Sequence, residues 1–222
     1  MSVRSSGVLM SIFSLPSPYG VGTLGRQARE FADFLARSGQ SHWQILPIGP
    51  TGYGDSPYQS FSSRAGNPYL IDLDELEQQG LLEREEYASL PWGDDPERVD
   101  YQALYRLRLP VLRRACDRLL SRPPAAFDRF CLLHQAWLDD YALFMALKEQ
   151  YGGAPWLEWP EDIRLRRPRA MARAKKALED DIRFWQGVQY LFFRQWQEFK
   201  SYVNGKGISI VGDLPIYVAG DS

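Results

Sequence analysis

The sequence predicts an α/β protein built on a parallel sheet, with a helical subdomain inserted ahead of the third strand. Three observations predict it. Apolar runs of strand length occur at 7–15, 42–50 and 207–211, an amphipathic helix lies between the first two, and residues 74–180 carry helical periodicity without strand signal. A chain of 222 residues with 45% hydrophobic and 24% charged residues has ordinary globular composition, so it is neither disordered nor fibrous.

The first run, GVLMSIFSL, is closed by Pro16, Pro18 and Gly20, which suits a strand buried on both faces. In TLGRQAREFADFLARSG, Leu24, Ala28, Phe31 and Leu35 fall on one helical face, Thr23 is placed to cap the start, and Gly39 stands at the stop. HWQILPIGP reads as a second buried strand, and strand, helix, strand makes a parallel βαβ unit. Further on, YQALYRLRLPVLRRACDRLL predicts a helix kinked at Pro110, and FDRFCLLHQAWLDDYALFMALKEQYGG a helix ended by Gly152 and Gly153. Phe184, Val188, Phe192, Trp196, Phe199 and Val203 trace a core-facing stripe on a last helix. Ile208, Ile210 and Val211 then form the third strand, with Asp213 at its end. This divides the chain into a βαβ part with its loop (1–73), a helical insert (74–180), and a helix with the third strand (181–222). Three parallel strands with one apolar edge left bare imply a piece of a longer protein.

Several function classes are disfavoured. A net charge of −2 offers no basic surface for nucleic acid, and the arginine-rich run at 164–176 is flanked by Glu158, Glu161, Asp162, Glu179, Asp180 and Asp181, as a solvated face is. The N-terminal twenty residues are too short and polar in their apolar run for a signal or a membrane span, which points to the cytoplasm. Cys116 and Cys131 read as reduced thiols, and His42 and His134 lack neighbouring ligands, so neither a metal nor a cofactor is expected. GVGTLG at 20–25 matches a dinucleotide fingerprint by letter. However, the glycines begin several residues past the strand, and the second strand ends without the acid that would hold a ribose; a glycine-permitted turn is the plainer account.

Residues 51–73, TGYGDSPYQSFSSRAGNPYLIDL, are the unusual stretch. Tyr53, Tyr58, Phe61 and Tyr69 follow neither strand nor sustained helix spacing, so one core-facing stripe cannot use them all. The segment leaves the C-terminal end of the second strand, and Asp213 leaves that of the third; in parallel α/β folds this rim binds ligands. Flat rings beside Asp55, Ser56 and Gln59 suit sugars, which present an apolar face and a hydroxyl edge. A loop held together by its own tyrosines remains the competing reading.

Taken in order and spacing, SLPSPYGVGTLG, WQILPIGPTGYGDSPYQSFSSRAGNPYLIDL, DYALFMALK, LFFRQWQ and GDLPIYVAGDS resemble the amylomaltase family of 4-α-glucanotransferases, in the α-amylase clan. The likeness runs from about residue 7 to the last, and the second block is the specific one. Ser11, Ile12 and Phe13 depart from a frequent His-Pro-Thr-like version. The resemblance implies a (β/α)8 TIM barrel, of which this chain holds strands one to three. It also implies retaining transfer of α-1,4-glucan segments between maltooligosaccharides, through two carboxyl groups about 5 to 5.5 Å apart. In the family those carboxylates lie on later strands, beyond Ser222, so the chain alone is expected to be inactive. What the resemblance carries over is the donor-side wall. Tyr58 would stack on the sugar at the cleavage point, and Ser56 would hold a neighbouring hydroxyl. Asp213 would bind a sugar hydroxyl or brace the carboxylates, its plainer role being to cap the following turn. Tyr53 and Tyr105 would belong to a separate glucan-holding groove, Tyr105 reading equally as a core residue. A non-catalytic glucan-binding scaffold and an α-glucan hydrolase stay open as alternatives.

Overall fold

Three short strands, β1 (Gly7–Leu9), β2 (His42–Gln44) and β3 (Ser209–Val211), pair in parallel and in chain order. This computed structural model describes residues 4–52, 54–95, 97–215 and 220–221. The register aligns Val8, Trp43 and Ile210 in one row and Leu9, Gln44 and Val211 in the next. Neighbouring rows face opposite sides of a sheet. On the first side Trp43 is fully buried, with its ring between Phe31 of helix α1 (Arg26–Arg37) and Phe199 of helix α7 (Glu179–Gly205), 4.9 and 5.6 Å away between centroids. Its indole N–H donates to the Met10 carbonyl at 2.9 Å. On the other side Leu9 is 57% and Val211 42% exposed, so burial on both faces is not what the strands show. Among the described residues, helices cover one face only.

The strands are also shorter than their apolar runs. Ile12–Ser14 forms a 3-10 turn that buries Ile12, and the second run leaves the ladder after the Ile45 N–H reaches Val211, where Pro47 and Pro50 have no N–H to offer. Helix α1 begins at Arg26, with Gly25 at its cap; the Thr23 hydroxyl instead donates to the Asp72 carboxylate at 2.6 Å. Its C-terminus closes as expected near Gly39, whose N–H returns to Ala36 while Gln40 returns to Leu35, a Schellman pattern. Gly25 answers the dinucleotide-like spelling: a Cβ there would stand 1.9 Å from the Asp72 carboxylate, so close packing already requires this glycine.

Between β2 and β3 come α2 (Leu73–Gln78), α3 (Tyr101–Ser121), α4 (Ala125–Gln150), α5 (Glu161–Arg164) and α6 (Pro168–Ala177). Helix α3 runs through Pro110 as one element. The core side of α7 carries the expected stripe, with Phe184, Val188, Phe192, Phe199 and Val203 buried and Trp196 half-buried. Arginines of the basic run pair with acids, Arg166 with Asp140 at 2.7 Å and Arg173 with Asp162 at 2.9 Å, on an exposed face.

Candidate functional site

Buried amides fix the loop that follows β2. The Gly66 N–H donates to Gln189 Oε1 at 2.8 Å, and Gln189 Nε2 donates back to the Gly66 carbonyl at 3.0 Å. Six residues along both partners the pattern repeats: the Asp72 N–H donates to Gln195 Oε1 at 2.7 Å, and Gln195 Nε2 to the Asp72 carbonyl at 3.1 Å. Both glutamines are fully buried on α7, where an unpaired amide would cost about 1 to 3 kcal/mol. Asn67, also fully buried, joins the two ends of the loop: its side-chain N–H donates to Gly49, its N–H to Ile48, and its Oδ1 accepts from Tyr69. Arg108 of α3 donates to the carbonyls of Tyr69 and Ile71 from full burial, which pushes its guanidinium down to about 10. None of these four was singled out in the sequence, although two glutamines within an apolar helical run are a visible signal.

From that base the segment Thr51–Ser60 projects as a loop, closed by an antiparallel bridge between its two end residues and by the Gly52 N–H donating to Gln59 at 3.0 Å. At its tip Tyr58 is 43% exposed, and its hydroxyl donates to Asp213 Oδ2 at 2.8 Å. Asp213 is half-buried just past β3, so residues 155 apart meet at the C-terminal rim of the sheet. The Ser56 hydroxyl accepts the Tyr58 N–H at 3.3 Å, which sets the turn that carries the ring. A cavity of about 360 Å³ lies alongside, lined by Ile48, Ser60, Arg64, Phe193, Trp196 and Asp213.

The other rings divide. Phe61 packs at 6.0 Å on Phe144 of α4, and Tyr69 at 6.2 Å on Tyr105 of α3, so these two pack the loop against those helices. Tyr105 is 47% exposed and donates to Asp55, which joins α3 to the loop tip. Burial, reinforced by that bond, raises its phenol. It lies on a cavity of about 860 Å³ with Thr51, Tyr69 and Lys148, separate in its lining from the Asp213 cavity. Tyr53, the remaining candidate, lies outside the described residues.

Hydrogen bonding to Asp213 raises the Tyr58 phenol above the usual tyrosine range, with desolvation and the Asp213 charge adding to it. A raised acid keeps its proton in the folded state. Its contribution to stability is therefore complete below the ordinary tyrosine pKa of about 10 and is lost as pH rises through the folded value. Asp213→Asn is expected to move the Tyr58 phenol back toward ordinary tyrosine, read from the ring carbon in an NMR pH titration; an unchanged midpoint would mean that the bond does not form.

A parallel three-stranded sheet with helices packed on one face, and a phenol and an acid meeting at its C-terminal rim, makes this an α/β protein. A family model described as 4-alpha-glucanotransferase matches residues 10–222. The chain is 47% identical over 213 residues to a 4-alpha-glucanotransferase of Clostridium butyricum, covering 96% of itself and 44% of that protein. It is 48% identical over 223 residues to one of Thermus thermophilus, covering 99% of itself and 44% of the relative. The structure of amylomaltase from Streptococcus agalactiae in complex with acarbose superposes with a TM-score of 0.95 at 45% identity, over 99% of this chain and 45% of that one. This chain belongs to the 4-alpha-glucanotransferase family. It spans a little under half the length of the relatives it matches.

Proposed function

We propose that this chain supplies the donor-side wall of an enzyme that transfers α-1,4-glucan segments between maltooligosaccharides. The observation that carries the reading is the Tyr58–Asp213 hydrogen bond, which holds an exposed ring beside a carboxylate at the C-terminal rim of a parallel sheet. The ring face stacks on the C–H face of a glucose unit while Asp213 accepts from its hydroxyls and the Ser56 hydroxyl accepts from or donates to them. Tyr105, with Tyr53, belongs to a second contact for the glucan, reached across the loop tip through Asp55. In this reading the three adjacent strands are the opening strands of a (β/α)8 barrel, residues 74–180 are its helical insert, and the enzyme works in the cytoplasm.

Retaining transfer requires a nucleophilic carboxylate and an acid/base carboxyl about 5 to 5.5 Å apart. Neither is assigned to a residue of this chain. Transfer outcompetes hydrolysis when a sugar, and not water, occupies the acceptor position, which aromatic walls favour. The test uses this chain and the same chain extended to the length of its relatives. The extended protein is expected to convert maltotriose into glucose plus longer maltodextrins, and the 222-residue chain to bind maltotriose without converting it. New reducing ends without longer products would make the protein a hydrolase. Binding with no reaction at either length would make it a scaffold.

A further inference from the structure

We propose that the cavity between the loop after β2 and the helical insert is a further glucan subsite, which takes α-1,4-linked units beyond those held at the Tyr58–Asp213 rim. This cavity, of about 680 Å³, is bounded by residues 60–64 of the loop, by α4, and by the chain from Trp156 to Met171. Sites for small molecules span about 300 to 1,000 Å³. Ser60, Ser62, Ser63 and Arg64 form a wall shared with the cavity that holds Asp213, and Phe61 and Tyr141 one shared with the cavity that holds Tyr105. The cavity therefore adjoins both sugar contacts proposed above.

Its lining has the chemistry of a sugar site. Phe61, Trp137, Phe144 and Trp156 are each half-buried, which leaves ring surface for the C–H faces of glucose units. Two buried donors in the same lining, the Trp156 indole N–H and the Tyr141 hydroxyl, have no hydrogen-bond partner among the described residues, and Tyr141 is only 6% exposed. Buried polar groups are ordinarily paired, and a sugar hydroxyl accepts from either of these. A purely apolar occupant would leave both unsatisfied. At the mouth Arg166 donates to Asp140 at 2.7 Å, so a guanidinium and a carboxylate stand side by side in the lining. Arg166 has a φ of 51° just past α5, where its own N–H returns to Ile163 and that of Arg167 to Asp162. A helix that ends in this way favours glycine at that position. The chain carries arginine there against the backbone preference, and its side chain is the one that pairs with Asp140.

The identity of the ligand rests on the reading of the rim given above, and the test separates the two. Maltoheptaose and maltotriose are titrated calorimetrically into the native chain, into Arg166→Gly, and into Ala136→Phe, which adds a ring to the cavity lining from an exposed position on α4. The urea midpoint of Arg166→Gly should stay near the native one, since glycine accepts the backbone conformation. Both variants are expected to weaken maltoheptaose by roughly tenfold and to leave maltotriose, held at the rim, within about twofold. The Trp156 indole N–H signal is expected to shift as maltoheptaose is added to the native chain and to stay in place in Ala136→Phe. Native affinity for maltoheptaose in both variants overturns the proposal. So does a chain extended to the length of its relatives in which the Trp156 signal no longer answers to maltoheptaose, because another part of the protein would then cover the cavity. Tyr58 ring signals that move while Trp156 stays still strike the subsite and keep the rim; the reverse strikes the rim and keeps the subsite.

Discussion

Gly66→Ala is expected to destabilise the protein by about 4 kcal/mol, out of a total of roughly 5 to 15 kcal/mol for a domain of ordinary stability. A Cβ at Gly66 would lie 1.9 Å from the Phe192 ring and 2.4 Å from its Cγ, atoms of a ring that is 1% exposed and held in the α7 core. Overpacking of this kind costs about 1 to 3 kcal/mol. Backbone displaced to relieve it would also pull the Gly66 N–H and carbonyl away from Gln189, leaving a buried amide unsatisfied at about 1 to 3 kcal/mol more. Gly205→Ala is the control, because nothing lies within 4 Å of a Cβ at that position on the last turn of α7, and its effect should be within about 1 kcal/mol of zero or favourable. Urea unfolding monitored by tryptophan fluorescence measures both. The expected result is a large fall in midpoint for Gly66→Ala at little changed slope. A midpoint close to native would mean that the clamp between α7 and the β2 loop is loose.

That clamp also explains which parts of the molecule were legible in the sequence. Periodicity located α7, its buried stripe and all three strands, because helices and sheets bury apolar faces at fixed spacing. It overstated the strands, since an apolar run says that residues are buried without saying what covers them. Ile12 is buried by a turn and not by a ladder, and Leu9 and Val211 are apolar yet exposed on the uncovered face. Thr23 looked like a helix cap because hydroxyls often are, but its partner is Asp72, 49 residues away, which no local pattern encodes. The same limit applies to Gln189, Gln195, Asn67 and Arg108. Polar residues read as surface until a partner on another element is known, and here each partner is a backbone group of the β2 loop. Tyr58 and Asp213 were legible for a different reason: topology placed the segments that carry them at the same end of a parallel sheet, and the family resemblance singled out these two residues within them. Tyr105 belonged to both readings, and the structure gives it both a packed side, against Tyr69 and Tyr101, and an exposed side with Asp55.

Tyr58→Ala is the second change with a large expected effect, in this case on binding. The ring is exposed and its main attachment is the hydroxyl bond to Asp213, so truncation should cost little stability, within about 0.5 kcal/mol for a surface position. Its cost to maltooligosaccharide affinity should be that of a central aromatic contact, about 2 kcal/mol or more, which is roughly thirtyfold. Tyr58→Phe separates the two parts of the side chain. It keeps the stacking face and loses the bond to Asp213, so a loss of only about 1 kcal/mol is expected. Calorimetric titration with maltoheptaose distinguishes them: similar losses for Phe and Ala would place the function in the hydroxyl, and no loss for either would remove Tyr58 from the site.

The most direct measurement follows the Tyr58 ring itself, in protein labelled on tyrosine, as maltoheptaose is added. The ring signals of Tyr58 are expected to move saturably and further than those of the buried Tyr19 and Tyr87, while cellobiose, with its β-linked geometry, leaves them nearly in place. If maltoheptaose binds and the Tyr58 signals stay still, the glucan lies elsewhere and the rim between β2 and β3 is not where this protein holds its sugar.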